Sequence, residues 1–300
     1  MQKILLLFTL TMFLVACTPL QFALVNVPSL TYEGKISEGI PYGQFSRQKL
    51  DIYVPNIEQA TFPVVVFFHG GRWTDGSKEQ YKFVAMTLSN MGYVVVIPNT
   101  RLYPDVKFPT FVEDAAKSVA WVYKNIANYK GNQNLFVSGH SSGAHLGALI
   151  IADASYLAAH ELRPNIVTAF AGISGPYDFV PKAPDIKDMF GPADNFPNMV
   201  VTNFIDGDEP PMLLIYTNED DTVHPRNLEA LRAGIEKSNG SVQSIVYKTG
   251  GHAAAVAAFS WANPSNLSVP RDIDNFFKTF THHDIVATEA LKGLGVSKNL

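Results

Sequence analysis

The sequence has little cysteine and little clustered charge. Its 300 residues include one cysteine, so no disulfide can form within the chain. The formal net charge is −4, and no block of five like charges occurs. These values indicate neither the basic surface of a nucleic-acid binder nor an acidic disordered tail. Hydrophobic residues make up 47% of the chain, which is enough for a sizeable core. We therefore expect a globular domain with no nucleic-acid partner.

The one cysteine, Cys17, ends an apolar N-terminal segment. A single lysine precedes an uncharged run over residues 4–15, shorter than the roughly 20 residues of a bilayer-spanning helix, as is typical of a signal peptide. Residues 14–16, Leu-Val-Ala, resemble the bacterial lipobox. The resemblance implies lipidation of Cys17 and attachment to the bacterial cell envelope, with the outer membrane favoured over the inner one. The alternative is ordinary cleavage of the signal peptide, or a retained membrane anchor in which the cysteine is inert.

From about residue 30 onward, short β-branched runs alternate with helix-period stretches. This order predicts an α/β fold with a mostly parallel central sheet and helices on both faces. Residues 64–68 and 93–97 are continuously apolar, which predicts central strands covered on both faces. Residues 48–54 alternate instead, which predicts a half-buried early strand. Four further strands are predicted at 135–138, 166–173, 212–216 and 241–247.

The predicted organisation has one folded domain. A lipoprotein signal peptide (1–16) and a lipidated lead-in (17–47) precede the α/β domain (48–283), and a C-terminal tail (284–300) follows it. Within the domain, residues 177–211 interrupt the alternation, because their prolines prevent any long helix or strand. Loops of this length in compact domains are usually functional, so we expect a lid-like insertion beside a substrate pocket. The alternative is a surface excursion without a catalytic role.

Residues 139–143, Gly-His-Ser-Ser-Gly, match the pattern G-x-S-x-G. A predicted strand leads into them and an apolar helical stretch starting at Ala144 follows, which is the context of a nucleophile on a sharp strand-to-helix turn. The helix N-terminus also favours developing negative charge. Ser141 is therefore predicted to be a catalytic nucleophile.

A serine nucleophile needs a base and an orienting carboxylate, which follow it in this fold in the order acid, then histidine. His252 follows the strand predicted at 241–247 and fits the base. Three carboxylates, Glu219, Asp220 and Asp221, follow the strand predicted at 212–216. Asp221 matches the D-x-V spacing seen in related hydrolases and is predicted to be the acid, with Asp220 as the alternative.

An acyl-transfer site also needs backbone donors for the oxyanion. Glycines after the strand at 64–68 can turn their N–H groups into the site. We predict an oxyanion hole formed by Gly71 and Ser142, with Gly70 or Arg72 as a possible third donor. The substrate pocket is predicted to include the remaining candidates Arg72, Trp73 and His140, although Trp73 fits core packing equally well.

The segments 69–73, His-Gly-Gly-Arg-Trp, and 139–145 together resemble the α/β-hydrolase superfamily. Within it the chain is most similar to the hormone-sensitive-lipase-related carboxylesterases and the kynurenine-formamidase-like enzymes. Residues 101–104 also resemble a short sequence that is typical of that branch. Arg72 stands where the lipase-type motif has a third glycine, which fits the formamidase-like form of that motif. The resemblance covers roughly residues 48–280.

The residues and the resemblance together predict a serine carboxylesterase that acts on small-molecule esters of short to medium acyl chains. No metal or organic cofactor is expected, and the sequence does not specify an oligomeric state. The alternatives are an amidase or formamidase, a glycan deacetylase, and a non-catalytic lipoprotein scaffold. A scaffold would have no need for nucleophile, base, acid and glycine loop together.

Overall fold

The computed structural model describes residues 19–293, with side chains described for residues 21–281. The signal peptide predicted at 1–16 and the lipidation site Cys17 lie outside the described residues. Within residues 19–293, no helix has the length and apolar character that crossing a membrane requires.

Within the part of the chain that the structure describes, eight strands, numbered in chain order with the ranges given below, form one sheet in the order β1-β2-β4-β3-β5-β6-β7-β8. Strands β1 and β2 are antiparallel to each other, and β2 is antiparallel to β4, whereas every other neighbouring pair is parallel. The mostly parallel sheet predicted from the sequence is therefore confirmed. The strands are β1 (Lys35–Pro41), β2 (Lys49–Val54), β3 (Phe62–Phe68), β4 (Val94–Pro98), β5 (Gly131–His140), β6 (Ala169–Ile173), β7 (Met212–Thr217) and β8 (Val242–Tyr247).

Helices follow most of the strands, as parallel connections require. The α-helices of the described residues are α1 (Pro19–Val25), α2 (Lys82–Asn90), α3 (Thr110–Asn125), α4 (Ser142–Ala152), α5 (Ala154–Ala158), α6 (Pro184–Phe190), α7 (Arg226–Lys237), α8 (His252–Ala257) and α9 (Val269–Gly293).

The sheet is covered by a hydrophobic cluster on each face. Successive side chains of β3 point to opposite faces, so Val64, Val66 and Phe68 join one cluster and Val65 and Phe67 the other. The first cluster is completed by α3, α4 and α7, and the second by α2, α8 and α9. The sheet is thus a rigid platform whose parallel strands all end at one edge.

The structure differs from the predicted architecture at three points. The sheet begins before residue 48, because β1 lies within the predicted lead-in and pairs with β2. Strand β2 is buried on both faces, not half-buried, since Asp51 has no exposed surface and its carboxylate lies 2.9 Å from Lys78 Nζ. At the other end, α9 runs to Gly293, into the predicted tail.

The insertion, residues 177–211, is built from short helical pieces. It contains α6 and two 3₁₀ segments, Ala193–Met199 and Val201–Phe204. Phe190 and Met199 are fully buried in the first hydrophobic cluster, so these parts of the insertion belong to the core.

Candidate active site

Ser141 occupies a strained turn between β5 and α4. Its backbone has φ 55° and ψ −124°, which is unfavourable for any residue with a Cβ. The flanking glycines allow this close packing, because a Cβ on Gly143 would lie 2.2 Å from the carbonyl oxygen of Phe68. The Ser141 N–H donates to the Ile173 carbonyl at 2.8 Å. The turn therefore holds the hydroxyl at the edge where the parallel strands end.

Three side chains from three different loops meet at this edge. Ser141 Oγ lies 2.8 Å from His252 Nε2, and His252 Nδ1 lies 2.8 Å from Asp220 Oδ2. Asp220 is fully buried, whereas the His252 side chain is 16% exposed. The structure thus brings the predicted nucleophile and base into hydrogen-bond contact, with a carboxylate behind the imidazole.

That carboxylate is Asp220, the alternative, and not the predicted Asp221, whose side chain contacts Thr222 instead of His252. Asp220 Oδ1 accepts the N–H groups of Thr222 at 3.1 Å and Val223 at 2.8 Å, and this turn aims Oδ2 at His252. Asp221 is exposed and accepts a hydrogen bond from the Thr222 hydroxyl. A turn of this kind points neighbouring side chains in different directions, so only one carboxylate can reach the imidazole.

The environment of Asp220 keeps it ionised. Burial raises the pKa of this carboxyl, but the hydrogen bonds that it accepts from His252 and from the Val223 N–H outweigh burial, so the pKa of Asp220 lies below its ordinary value. An anion at this position favours a proton on His252 Nδ1, which leaves Nε2 free to accept from Ser141. A further carboxylate supports the loop that precedes His252, because Glu219 Oε2 accepts the Gly250 N–H at 2.7 Å.

The candidate oxyanion donors lie in the loop after β3, residues 69–73, called the oxyanion loop for its predicted role, and at the start of α4. The Gly70 N–H donates to the Tyr81 hydroxyl at 3.1 Å, so this predicted donor is already engaged within the protein. The described residues provide no acceptor for the N–H groups of Gly71, Arg72 or Ser142. These three groups are the ones able to bind an oxyanion.

Gly71 is tightly constrained, which leads to a prediction for this loop. Its φ is +131°, and a Cβ there would lie 2.0 Å from the Asp75 carbonyl oxygen. We expect Gly71→Ala to displace the loop and to lower kcat for an ester substrate by about 100-fold. Gly92→Ala is the matched control, since Gly92 has φ +100° and open space around it. Equal kcat values for the two variants, with both folded by circular dichroism, would contradict the assignment.

His140 does not line the cavity beside Ser141, contrary to the prediction. It is buried behind His252, with the two ring centroids 4.8 Å apart. Burial, together with the nearby His252, lowers the pKa of His140 to about 3, so the imidazole is neutral. His140 Nε2 lies 3.2 Å from the His252 carbonyl oxygen, and Nδ1 lies 3.2 Å from the Tyr81 hydroxyl. Because a carbonyl oxygen only accepts, Nε2 carries the proton and Nδ1 accepts from Tyr81.

A continuous hydrogen-bond chain follows from these contacts. It runs from the Gly70 N–H to the Tyr81 hydroxyl, then to His140 and on to the backbone of His252. The chain couples the position of the oxyanion loop to that of the base. Sequence reasoning missed Tyr81, which lies 59 residues from His140 and belongs to no motif.

A cavity of about 310 Å³ opens beside Ser141 and Ser142. Arg72 and Trp73 line it, as predicted. Trp73 also packs in the core, with its ring stacked on Phe179 at 5.9 Å, so pocket wall and core packing are both realised. A larger cavity of about 780 Å³ lies away from Ser141, beside Tyr32, Met86 and Trp261, and contains none of the three contacting side chains.

The insertion forms one wall of the smaller cavity. Phe179, Val180 and Ile186 face it. An ion pair between Arg72 Nη1 and Asp185 Oδ2, 2.6 Å apart, ties α6 to the oxyanion loop. His145 contacts a later part of the insertion, because its Nε2 lies 2.7 Å from the Met199 carbonyl oxygen. The arrangement can hold a small carbonyl compound over a hydroxyl, an imidazole and two or three backbone donors.

Comparisons with known proteins identify a family and several relatives of this chain. The BD-FAE family model matches residues 50–235. Kynurenine formamidase from Salmo salar is 35% identical over 142 residues, which are 47% of this chain and 46% of that protein. Esterase LipQ from Mycobacterium tuberculosis is 26% identical over 258 residues, which are 77% of this chain and 61% of that protein. The chain thus spans about half to three fifths of the length of these relatives.

Among solved structures, esterase B from Lactobacillus rhamnosis superposes with a TM-score of 0.73. The likeness covers 86% of this chain and 89% of that one at 21% identity. The α/β-hydrolase fold expected from the sequence is therefore confirmed.

Proposed function

The chain belongs to the BD-FAE family, and on that premise we propose that it is a serine hydrolase that cleaves carboxylic esters of short to medium acyl chains. The observation that carries the proposal is the pair of 2.8 Å contacts that link Ser141, His252 and Asp220. The small cavity beside Ser141 supports a short to medium acyl group.

In the first half of the reaction, His252 Nε2 takes the proton of Ser141 Oγ as the oxygen attacks the ester carbonyl carbon. The imidazolium that forms is stabilised by the buried Asp220 carboxylate. The carbonyl oxygen becomes negative in the tetrahedral intermediate and receives hydrogen bonds from the Gly71 and Ser142 N–H groups, with Arg72 as a third donor. His252 then returns its proton to the leaving alcohol, and an acyl-enzyme on Ser141 remains.

In the second half, a water molecule replaces the alcohol. His252 accepts a proton from this water, which attacks the acyl carbonyl carbon through the same oxyanion site. Collapse of the intermediate breaks the bond to Ser141 Oγ and releases the carboxylic acid, and the proton returns from His252 to Ser141.

An amide or formamide hydrolase is the second candidate. The likeness to a kynurenine formamidase favours it, and the same three side chains would serve. The two candidates differ in the leaving group, which is an alcohol for an ester and an amine for an amide; His252 would protonate either one as it leaves.

A covalent probe and matched substrates test the proposal. We expect the purified protein to hydrolyse 4-nitrophenyl butyrate faster than 4-nitro-formanilide. We also expect a fluorophosphonate to modify Ser141, as read by mass spectrometry of the labelled peptide. Faster cleavage of the anilide would favour the amidase. Folded protein that neither reacts with the probe nor cleaves either compound would indicate a non-catalytic scaffold.

A further inference from the structure

Among the described residues that line the cavity beside Ser141, several are cationic and none is a carboxylate. Arg72 comes from the oxyanion loop, Lys182 from the insertion and Arg226 from the start of α7, and the His224 imidazole lies beside them. These residues come from three separate segments, so the fold itself gathers them around one opening. The chain as a whole has a net charge of −4, so a cationic surface is not a general property of this protein.

The cations differ in whether their charge is already neutralised. Arg72 is paired with Asp185 at 2.6 Å. Lys182 and Arg226 are exposed, and neither has an ion-pair partner among the residues whose side chains the structure describes. Two unpaired cations on the wall of one cavity make the electrostatic potential there positive, although solvent and salt screen exposed charges. A positive potential at the cavity favours an anionic group in it.

Another part of the cavity lining is apolar. Trp73 and Phe179 stack on each other, and Ile186 and Val223 are largely buried beside them. His224 adds a polar group, since its Nδ1 accepts the Arg226 N–H at 3.1 Å and its Nε2 is then free to donate. The cavity therefore combines an apolar floor with a cationic rim, which suits an apolar chain or ring that ends in an anion.

We propose that the substrate of this site is an ester that carries a carboxylate, or a similar anionic group, on the part that fills this cavity. The inference rests on the proposed function and specifies its substrate class. Lys182 and Arg226 bind the anionic group, the apolar floor contacts the carbon chain, and the ester carbonyl lies at Ser141. Complementary charge would also raise the rate of encounter with such a substrate.

Two pairs of esters test the proposal, one for each side of the scissile bond. On the acyl side, 4-nitrophenyl hydrogen glutarate is compared with 4-nitrophenyl pentanoate, which has the same chain length without the carboxylate. On the alcohol side, 4-acetoxybenzoate is compared with 4-acetoxybenzamide. The readout is the ratio of kcat/KM for the anionic ester to kcat/KM for its neutral partner. The pair with the higher ratio identifies the side that enters the cavity.

The variants Lys182→Gln and Arg226→Gln test whether a preference for the anionic ester depends on these two residues. We expect each to lower the ratio for one ester pair by up to about fivefold, and the double variant to lower it further. Matched controls are Lys187→Gln on α6 and Arg232→Gln on α7, both exposed and outside the cavity lining. The wild-type ratio should also fall as salt is raised from 0.05 to 0.5 M, because salt screens exposed charges.

The outcomes separate this inference from the proposed function. Ser141-dependent hydrolysis with equal ratios in the wild type and in both cavity variants would overturn the anionic substrate class and leave the esterase proposal intact. A ratio lowered equally by the cavity variants and the two controls would overturn it as well. No Ser141-dependent hydrolysis of any of the four esters would overturn both. A ratio lowered by the cavity variants alone supports the inference.

Discussion

Replacement of Ser141 by alanine is expected to lower kcat for ester hydrolysis by about 10⁴- to 10⁶-fold. Without the hydroxyl no acyl-enzyme can form, and only the oxyanion donors and substrate binding remain to accelerate attack by water. Alanine has a Cβ, as serine does, so the strained backbone at φ 55° is no less favourable in the variant. The fold should therefore survive, and loss of activity would report on chemistry alone.

The measurement is release of 4-nitrophenol from a short-chain ester, together with thermal unfolding of each protein. Ser155→Ala is the matched control, since Ser155 is exposed and lies outside the cavity beside Ser141. We expect its kcat to equal that of the wild type. Ser141→Ala with kcat within tenfold of the wild type would show that Ser141 is not the nucleophile.

Much of the fold could be predicted because the sequence pattern is strong where burial is complete. The apolar runs of β3 and β4 can only lie inside a sheet covered on both faces. Strand β1 could not be found in this way, because it is a partly exposed edge strand with a break in its register between Ser37 and Ile40. Its place depends on pairing with β2, which is a tertiary contact that its own residues do not encode.

The full burial of β2 differs from the half-buried strand that its sequence predicts, and the reason is similar. Asp51 looks like a solvent-facing residue within an alternating strand, yet it is fully buried. The structure compensates for this burial with Lys78, which lies 27 residues away in sequence. A buried carboxylate is tolerated only when it is paired, and sequence spacing does not reveal such a partner.

The candidate site also combines residues that local patterns indicate with contacts that only the folded chain shows. Ser141 and His252 could be predicted because a local motif and the order of the chain point to them. The hydrogen-bond chain through Tyr81 and His140 could not, because it joins loops that are distant in sequence. The catalytic roles of Ser141 and His252 stay predictions, whereas their mutual contact is observed.

The choice between Asp220 and Asp221 leads to the second large expected effect. Asp220→Asn is expected to lower kcat by about 10⁴-fold. The amide oxygen can still accept the Thr222 and Val223 N–H groups that Asp220 Oδ1 accepts now, so the turn is retained. The amide nitrogen, however, would stand where Oδ2 stands and cannot accept the proton on His252 Nδ1, so the imidazole loses its orienting anion.

Asp221→Asn is the matched variant one residue away. Asp221 is exposed and its carboxylate contacts the Thr222 hydroxyl, so we expect kcat within about twofold of the wild type, as for most surface changes. Both variants are measured with the same ester, and circular dichroism checks that both are folded. The reverse result, an inactive Asp221→Asn beside an active Asp220→Asn, would restore the D-x-V prediction and contradict the geometry. The two substitutions remove the same charge from adjacent positions of one turn, so a difference in kcat between two folded variants is assigned to the carboxylate that contacts His252.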